Sequence, residues 1–320
     1  MAEINENEQH DLAFVFPGQG SQSVGMLGEL AAVYPQVVET FQEASEVLGR
    51  DLWKLSCQGP PEALARTEWT QPLMLAGGVA LWRVWTSISD RRPVVMAGHS
   101  LGEYSALVAA AALGFSDAVR VVAERGRLMQ QAAPPGAGAM AAILGLDDEI
   151  VEAICREVAE QQVVAPANYN SPGQLVIAGD SAAVERAMHA CLDAGARRAM
   201  KLPVSVPSHC ALMVPAAQGL KILLEDIEFQ PPQVPVLHNV DMIARTDAAA
   251  IRAALVAQLC APVRWTETIR CISGRLKAVV IAECGPGRVL TGLGRRIFKA
   301  GHWCALDSPA GLEEMVQAPN

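Results

Sequence analysis

Residues Pro93–Leu113 constrain the fold of this chain most tightly. Pro93 is followed by the apolar run Val94-Val95-Met96-Ala97, then by Gly98-His99-Ser100-Leu101-Gly102, then by the small apolar stretch EYSALVAAAAL. The first run reads as a strand buried on both faces, and the last as a helix packed on all sides to about Leu113. Only a tight turn joins a strand directly to a helix, and the glycines on each side permit that backbone and close packing. G-x-S-x-G between strand and helix presents the serine Oγ at a helix N-terminus. Free N–H groups and the positive dipole end can stabilise an oxyanion there. Two readings stay open: Ser100 is a nucleophile, or it merely caps the helix.

The pattern around this segment is α/β. Leu12–Phe16 (LAFVF) reads as a buried strand ending at Pro17-Gly18, and a helix starts at Pro35. Asp117–Gln131 is a further helix. From Ala139 the order changes: strand Ala139–Leu146, helix Asp147–Gln161, strands Val163–Tyr169 and Leu175–Ala178, helix Ser181–Ala194, strand Arg197–Leu202. That β-α-β-β-α-β order is the ferredoxin-like split unit, placed as an insertion. The larger pattern resumes with a helix after His209 and buried strands at Val234–Leu237 and Ala278–Glu283. Gly285-Pro286-Gly287 opens another helix, and Trp303–Leu306 forms a short last strand. Strands alternating with helices around the insertion predict a parallel sheet.

Composition then excludes several classes. Hydrophobic residues make up 51% and charged residues 18%, which predicts an ordered core. Mean hydropathy is +0.22. Yet the longest nearly apolar stretches, Leu73–Trp82 and Ser105–Phe115, fall short of the ~18–20 residues of a spanning helix, so no membrane span is expected. The segment Met1–Asp11 is polar and acidic, unlike a leader, so a cytoplasmic protein is expected. A net charge of −9 argues against nucleic-acid binding. The eight cysteines form no C-x-x-C, so reduced thiols are expected rather than a metal or redox site.

A serine nucleophile needs a base. Of the six histidines, His10 lies in the polar tail, His189 in a helix of the insertion and His302 near the end. His209 follows the Pro-rich LPVSVPS and opens a helix, where an imidazole tends to stay neutral. It is the candidate base, or simply a helix-opening histidine. At about 100° per residue, Arg125 shares the face of Ala118, Val121, Val122 and Met129, whereas Arg127 falls opposite with Arg120, Glu124 and Gln131. A guanidinium on the apolar side requires an anion or a route to water. The options are snorkelling, an internal acid, or a substrate carboxylate held by a bidentate pair. Phe16–Gln22 (FPGQGSQ) is either a second oxyanion-donor loop or a plain glycine turn; it does not complete G-x-G-x-x-G, and no phosphate loop occurs.

Taken together, FVFPGQGSQ (Phe14–Gln22), GHSLGEYSAL (Gly98–Leu107), NYNSPGQLVIAG (Asn168–Gly179), PVSVPSHCALM (Pro203–Met213), QL-x-x-PV-x-W (Gln258–Trp265) and GPG-x-VLTGL (Gly285–Leu293) resemble the malonyl-CoA:acyl carrier protein transacylases. These form the acyltransferase family of fatty acid and polyketide synthesis, and the match spans nearly the whole chain. The resemblance implies an α/β-hydrolase-like parallel-sheet core with an inserted ferredoxin-like α+β subdomain. Residues 1–132 and 208–320 would form the discontinuous core and 133–207 the insert. It implies that malonyl moves from malonyl-CoA to the phosphopantetheine thiol of acyl carrier protein in a ping-pong reaction. Ser100 would be the nucleophile, His209 its base, and Gln258 the source of the carbonyl that orients the histidine. Gln19 and Leu101 would supply the oxyanion hole, Arg125 the hold on the malonyl carboxylate, and Met129 part of the acyl pocket. No metal or other cofactor is implied.

Three rivals accompany that expectation, one of them a catalytically idle domain that only docks carrier proteins, against which the intact Ser100, His209 and Gln19 count. An acyl-thioester hydrolase would use the same serine and histidine, with Arg125 arguing against an uncharged acyl chain. A trans-acting polyketide synthase acyltransferase would look nearly identical. An acidic enzyme that receives an acidic carrier protein needs a local basic surface, and Arg288, Arg295, Arg296 and Lys299 are the candidate cluster; solvated helix charges are the plain alternative.

Overall fold

The computed structural model describes residues 12–134, 136–204 and 206–318. The segment Met1–Asp11, with His10, lies outside the described residues.

β1 (Leu12–Phe16), β2 (Val95–Gly98), β7 (Val236–Leu237), β8 (Val280–Glu283) and β9 (His302–Ala305) form a five-stranded sheet in the order β7-β2-β1-β8-β9. Every pairing in it is parallel. Successive side chains of β1 serve opposite faces, as strand geometry requires. Phe14 and Phe16 enter a core shared with the helices Pro35–Leu48, Thr67–Ile88, Gly102–Ala109 and Phe115–Ala132. Ala13 and Val15 enter the opposite core, with Trp265, Ile269, Leu290 and Trp303. A sheet covered on both faces needs apolar strands throughout, hence the run LAFVF. The apolar excess also has a second home: Leu73–Leu81 lies buried inside the Thr67–Ile88 helix, with Trp82 half-buried beside it. Among the described residues, no helix is long and apolar enough to cross a membrane.

β3 (Gly138–Leu144), β4 (Val164–Ser171), β5 (Gln174–Asp180) and β6 (Arg198–Lys201) form a second sheet, in the order β4-β5-β3-β6 and antiparallel throughout. The helices Asp148–Val158 and Ser181–Asp193 complete the β-α-β-β-α-β unit expected from the sequence. They bury Val151, Val184 and Cys191 against Ile143 and Ile177 in a core of their own. The unit is tied to the parallel-sheet half beside the Gly98–Gly102 turn: Tyr169 N donates to Val263 O at 2.9 Å, Val263 N to Ala167 O at 2.9 Å, and His99 Nε2 lies 2.9 Å from Asn170 Oδ1.

Two expectations are corrected. The helix after Ser100 ends at Ala109 rather than about Leu113, because Ala111 turns left-handed at φ 57°. A glycine there would have marked the stop. The helix after His209 starts at Val214, behind a short 3-10 turn at Ala211–Met213. His209 therefore does not sit at a helix N-terminus. The other element ends shift by only a few residues.

Candidate active site

The elbow is built by close approach. A Cβ on Gly98 would stand 1.9 Å from the Gly102 carbonyl carbon, and one on Gly102 would stand 2.0 Å from Phe16 O. Only glycine fits at both positions. Ser100 itself sits at φ 52°, a left-handed conformation that costs energy outside glycine. Asn239, just beyond the end of β7, holds the turn: Ser100 N donates to Asn239 Oδ1 at 2.7 Å, and Asn239 Nδ2 donates to Gly98 O at 2.6 Å. The open ends of parallel strands are where such sheets place their sites.

His209 arrives from the loop after β6, also left-handed at φ 63°. Its Nε2 lies 2.7 Å from Ser100 Oγ, and its Nδ1 lies 2.8 Å from the main-chain O of Gln258. A carbonyl only accepts, so Nδ1 carries the proton and Nε2 is free to receive one. Burial, followed by the positive charge of Arg125, lowers the His209 pKa to about 3. These causes keep it neutral, rather than the helix terminus expected from the sequence. Among the described residues no carboxylate contacts the imidazole.

Arg125 is 1% exposed, on the inner face of the Phe115–Ala132 helix, while Arg127 is paired with Glu124 on the outer face. Snorkelling is thereby excluded. Its Nη1 donates to Gln71 Oε1 at 2.7 Å, and its Nη2 to Gln258 Oε1 at 3.0 Å and toward Ser100 Oγ at 3.4 Å. Nε has no partner. Among the described residues no carboxylate forms an ion pair with this guanidinium, whose partners are all neutral. Burial lowers its pKa, opposed by Tyr104 and Glu103. A buried cation held only by neutral acceptors is a receptor for an anion.

Gln19, Ser100, Leu101, Arg125, Met129 and His209 line one cavity, whose far wall is Met140, Leu202 and Val204 of the inserted unit. The turn's own hydrogen bonds use the amides of Gly102, Glu103 and Tyr104; that of Leu101 is not among them. Met129 is buried, and its Sδ accepts from Gln71 Nε2 at 3.4 Å. Gln258 does more than lend a carbonyl. Its buried side chain also donates to Ser100 O at 3.0 Å and to Glu103 Oε2 at 2.9 Å. Gln71, Asn239, Glu103 and the side chain of Gln258 were not singled out from the sequence. A lone Glu opening an apolar helix, and an Asn just past a strand end, were the signals available. No group of three or more His, Cys, Asp or Glu side chains able to hold a metal occurs among the described residues.

Of the basic cluster, Arg288 is paired with Asp307 at 3.0 Å, Arg295 donates to Trp303 O at 3.0 Å, and Arg296 donates to Gln174 Oε1. All three and Lys299 remain exposed.

Comparison with known proteins agrees with this geometry. The acyl transferase domain family matches residues 13–302. The malonyl CoA-acyl carrier protein transacylase of Salmonella typhimurium is 58% identical over 94% of this chain and 97% of its own. The transacylase structure from Coxiella burnetii is 48% identical with a TM-score of 0.95, covering 96% of this chain and 97% of that one. A malonyl-transacylase in complex with its type II polyketide synthase acyl-carrier protein is 55% identical with a TM-score of 0.94, covering 96% and 99%. The chain belongs to the acyl transferase family, among the malonyl CoA-acyl carrier protein transacylases.

Proposed function

We propose that the protein transfers malonyl from malonyl-CoA to the phosphopantetheine thiol of acyl carrier protein, through a malonyl ester on Ser100, to supply fatty acid biosynthesis in the cytoplasm. The observation that carries this reading is one cavity holding a serine–histidine pair and, 3.4 Å from the serine Oγ, a buried arginine in contact with no carboxylate among the described residues.

The malonyl carboxylate takes the open side of Arg125, which sets the thioester carbonyl against Ser100. Oγ attacks as its proton passes to His209 Nε2, and the oxyanion is received by the Gln19 and Leu101 amides. Collapse breaks the C–S bond; coenzyme A leaves as its thiol with the proton from His209. In the second half His209 takes the pantetheine thiol proton. The thiolate attacks the ester, and Ser100 recovers its proton as the C–O bond breaks. Substrate binding assists the base, because a carboxylate on Arg125 offsets the charge that lowers the His209 pKa.

Residues 1–132 and 208–320 supply the reacting groups, and 133–207 act as a subdomain that walls the acyl pocket. A second reading, delivery to a polyketide carrier protein, is favoured by the similarity to the transacylase solved with such a partner. Trapping the malonyl adduct on Ser100, and following its transfer to carrier protein, tests the reaction itself.

For docking, Arg288, Arg295, Arg296 and Lys299 form the surface offered to the acidic carrier protein. Reversing Arg295 and Arg296 to glutamate together should raise KM for carrier protein about tenfold, and leave KM for malonyl-CoA within twofold. Equal changes in both would remove the cluster from the interface.

A further inference from the structure

Glu103 is fully buried in the helix behind the nucleophile, and no step above uses it. Its carboxylate receives three N–H donors. His238 Nδ1 lies 2.7 Å from Oε1, and Asn239 N and Gln258 Nε2 each lie 2.9 Å from Oε2. Both oxygens act as acceptors, as an ionised carboxylate does. A buried charge is tolerated only when hydrogen bonds saturate it, and two of the residues that saturate this one touch the reacting groups. Gln258 accepts from His209 through its main-chain O and from Arg125 through Oε1. Asn239 holds the elbow at Ser100 N and Gly98 O.

We propose that Glu103 is a positioning residue that sets the Ser100 elbow through Asn239, and His209 together with Arg125 through Gln258. The acid that a catalytic triad places directly on the histidine stands here one residue away. The same charge has a second effect. Glu103 and a malonyl carboxylate are like charges that share the field of Arg125, so Glu103 weakens the grip on substrate while it aligns the groups that react.

The proposal rests on the Ser100–His209 transfer reading, and the test separates the two. Glu103→Gln keeps the shape of the side chain but removes its charge. Measured on folded protein, kcat for malonyl transfer should fall at least tenfold while KM for malonyl-CoA holds or falls. A purely structural role would lower Tm and leave kcat per folded molecule intact. Should Glu103→Gln not fold, His238→Leu, which removes only the bond to Oε1, should lower kcat at least threefold with KM held. Unchanged kcat in a folded variant, or a rise in KM at unchanged kcat, overturns the proposal. A wild-type enzyme that forms no malonyl adduct on Ser100 would instead overturn the transfer reading beneath it.

Discussion

Arg125→Ala should lower kcat/KM for malonyl-CoA by about 10²–10³-fold, while acetyl-CoA, which has no second carboxyl, loses far less and becomes the relatively favoured donor. The size follows from removing one partner of a desolvated charge pair, roughly 2–5 kcal/mol. The variant should also lose stability, because the Gln71 and Gln258 side-chain oxygens are left as buried acceptors without a donor, at about 1–3 kcal/mol each. Arg125→Lys separates the two effects. It keeps a positive charge but not the planar fork, so it should fall between wild type and alanine for malonyl-CoA. Side-by-side kinetics with both thioesters checks this, and a malonyl preference that survives in Arg125→Ala would contradict the clamp.

His209→Ala should slow acylation of Ser100 by about 10⁴-fold, the upper range for loss of a general base. The pH dependence of the wild type carries independent information. Protonated imidazole cannot accept the serine proton, so activity is lost as pH falls through the pKa of His209. Burial and the charge of Arg125 lower that pKa to about 3. The kcat/KM for acylation, which reports the free enzyme, should therefore be flat down to about pH 5, with no inflection at the ordinary histidine value of about 6.5. An acid limb centred near 6.5 would mean that His209 is not the base or is not held as the structure places it.

The sequence was most legible where one residue type alone satisfies the geometry. Gly98 and Gly102 admit no Cβ, so strand, turn and helix could be read directly from G-x-S-x-G. Helical periodicity placed Arg125 inward and Arg127 outward, and both orientations hold. The split β-α-β-β-α-β order could be read because most of its turns carry Gly or Pro, as at Gly145, Pro172-Gly173 and Gly195. What escaped depends on contacts distant in the chain. Glu103 meets His238, Asn239 and Gln258 more than 130 residues later, and neither spacing nor period carries such pairings. The reason for the neutrality of His209 also escaped, since it lies in burial beside Arg125 rather than in a helix end. Ala111 concealed a helix stop by adopting a left-handed turn without glycine.

The central claim is that Ser100 carries malonyl between two thiols. Mass spectrometry of the enzyme after brief incubation with malonyl-CoA tests it most directly. A malonyl adduct located on Ser100, persistent in water and discharged when a thiol acceptor, phosphopantetheinylated carrier protein or coenzyme A itself, is added, is the expected result. No adduct on Ser100, or an adduct that water removes as fast as the carrier protein does, would contradict it.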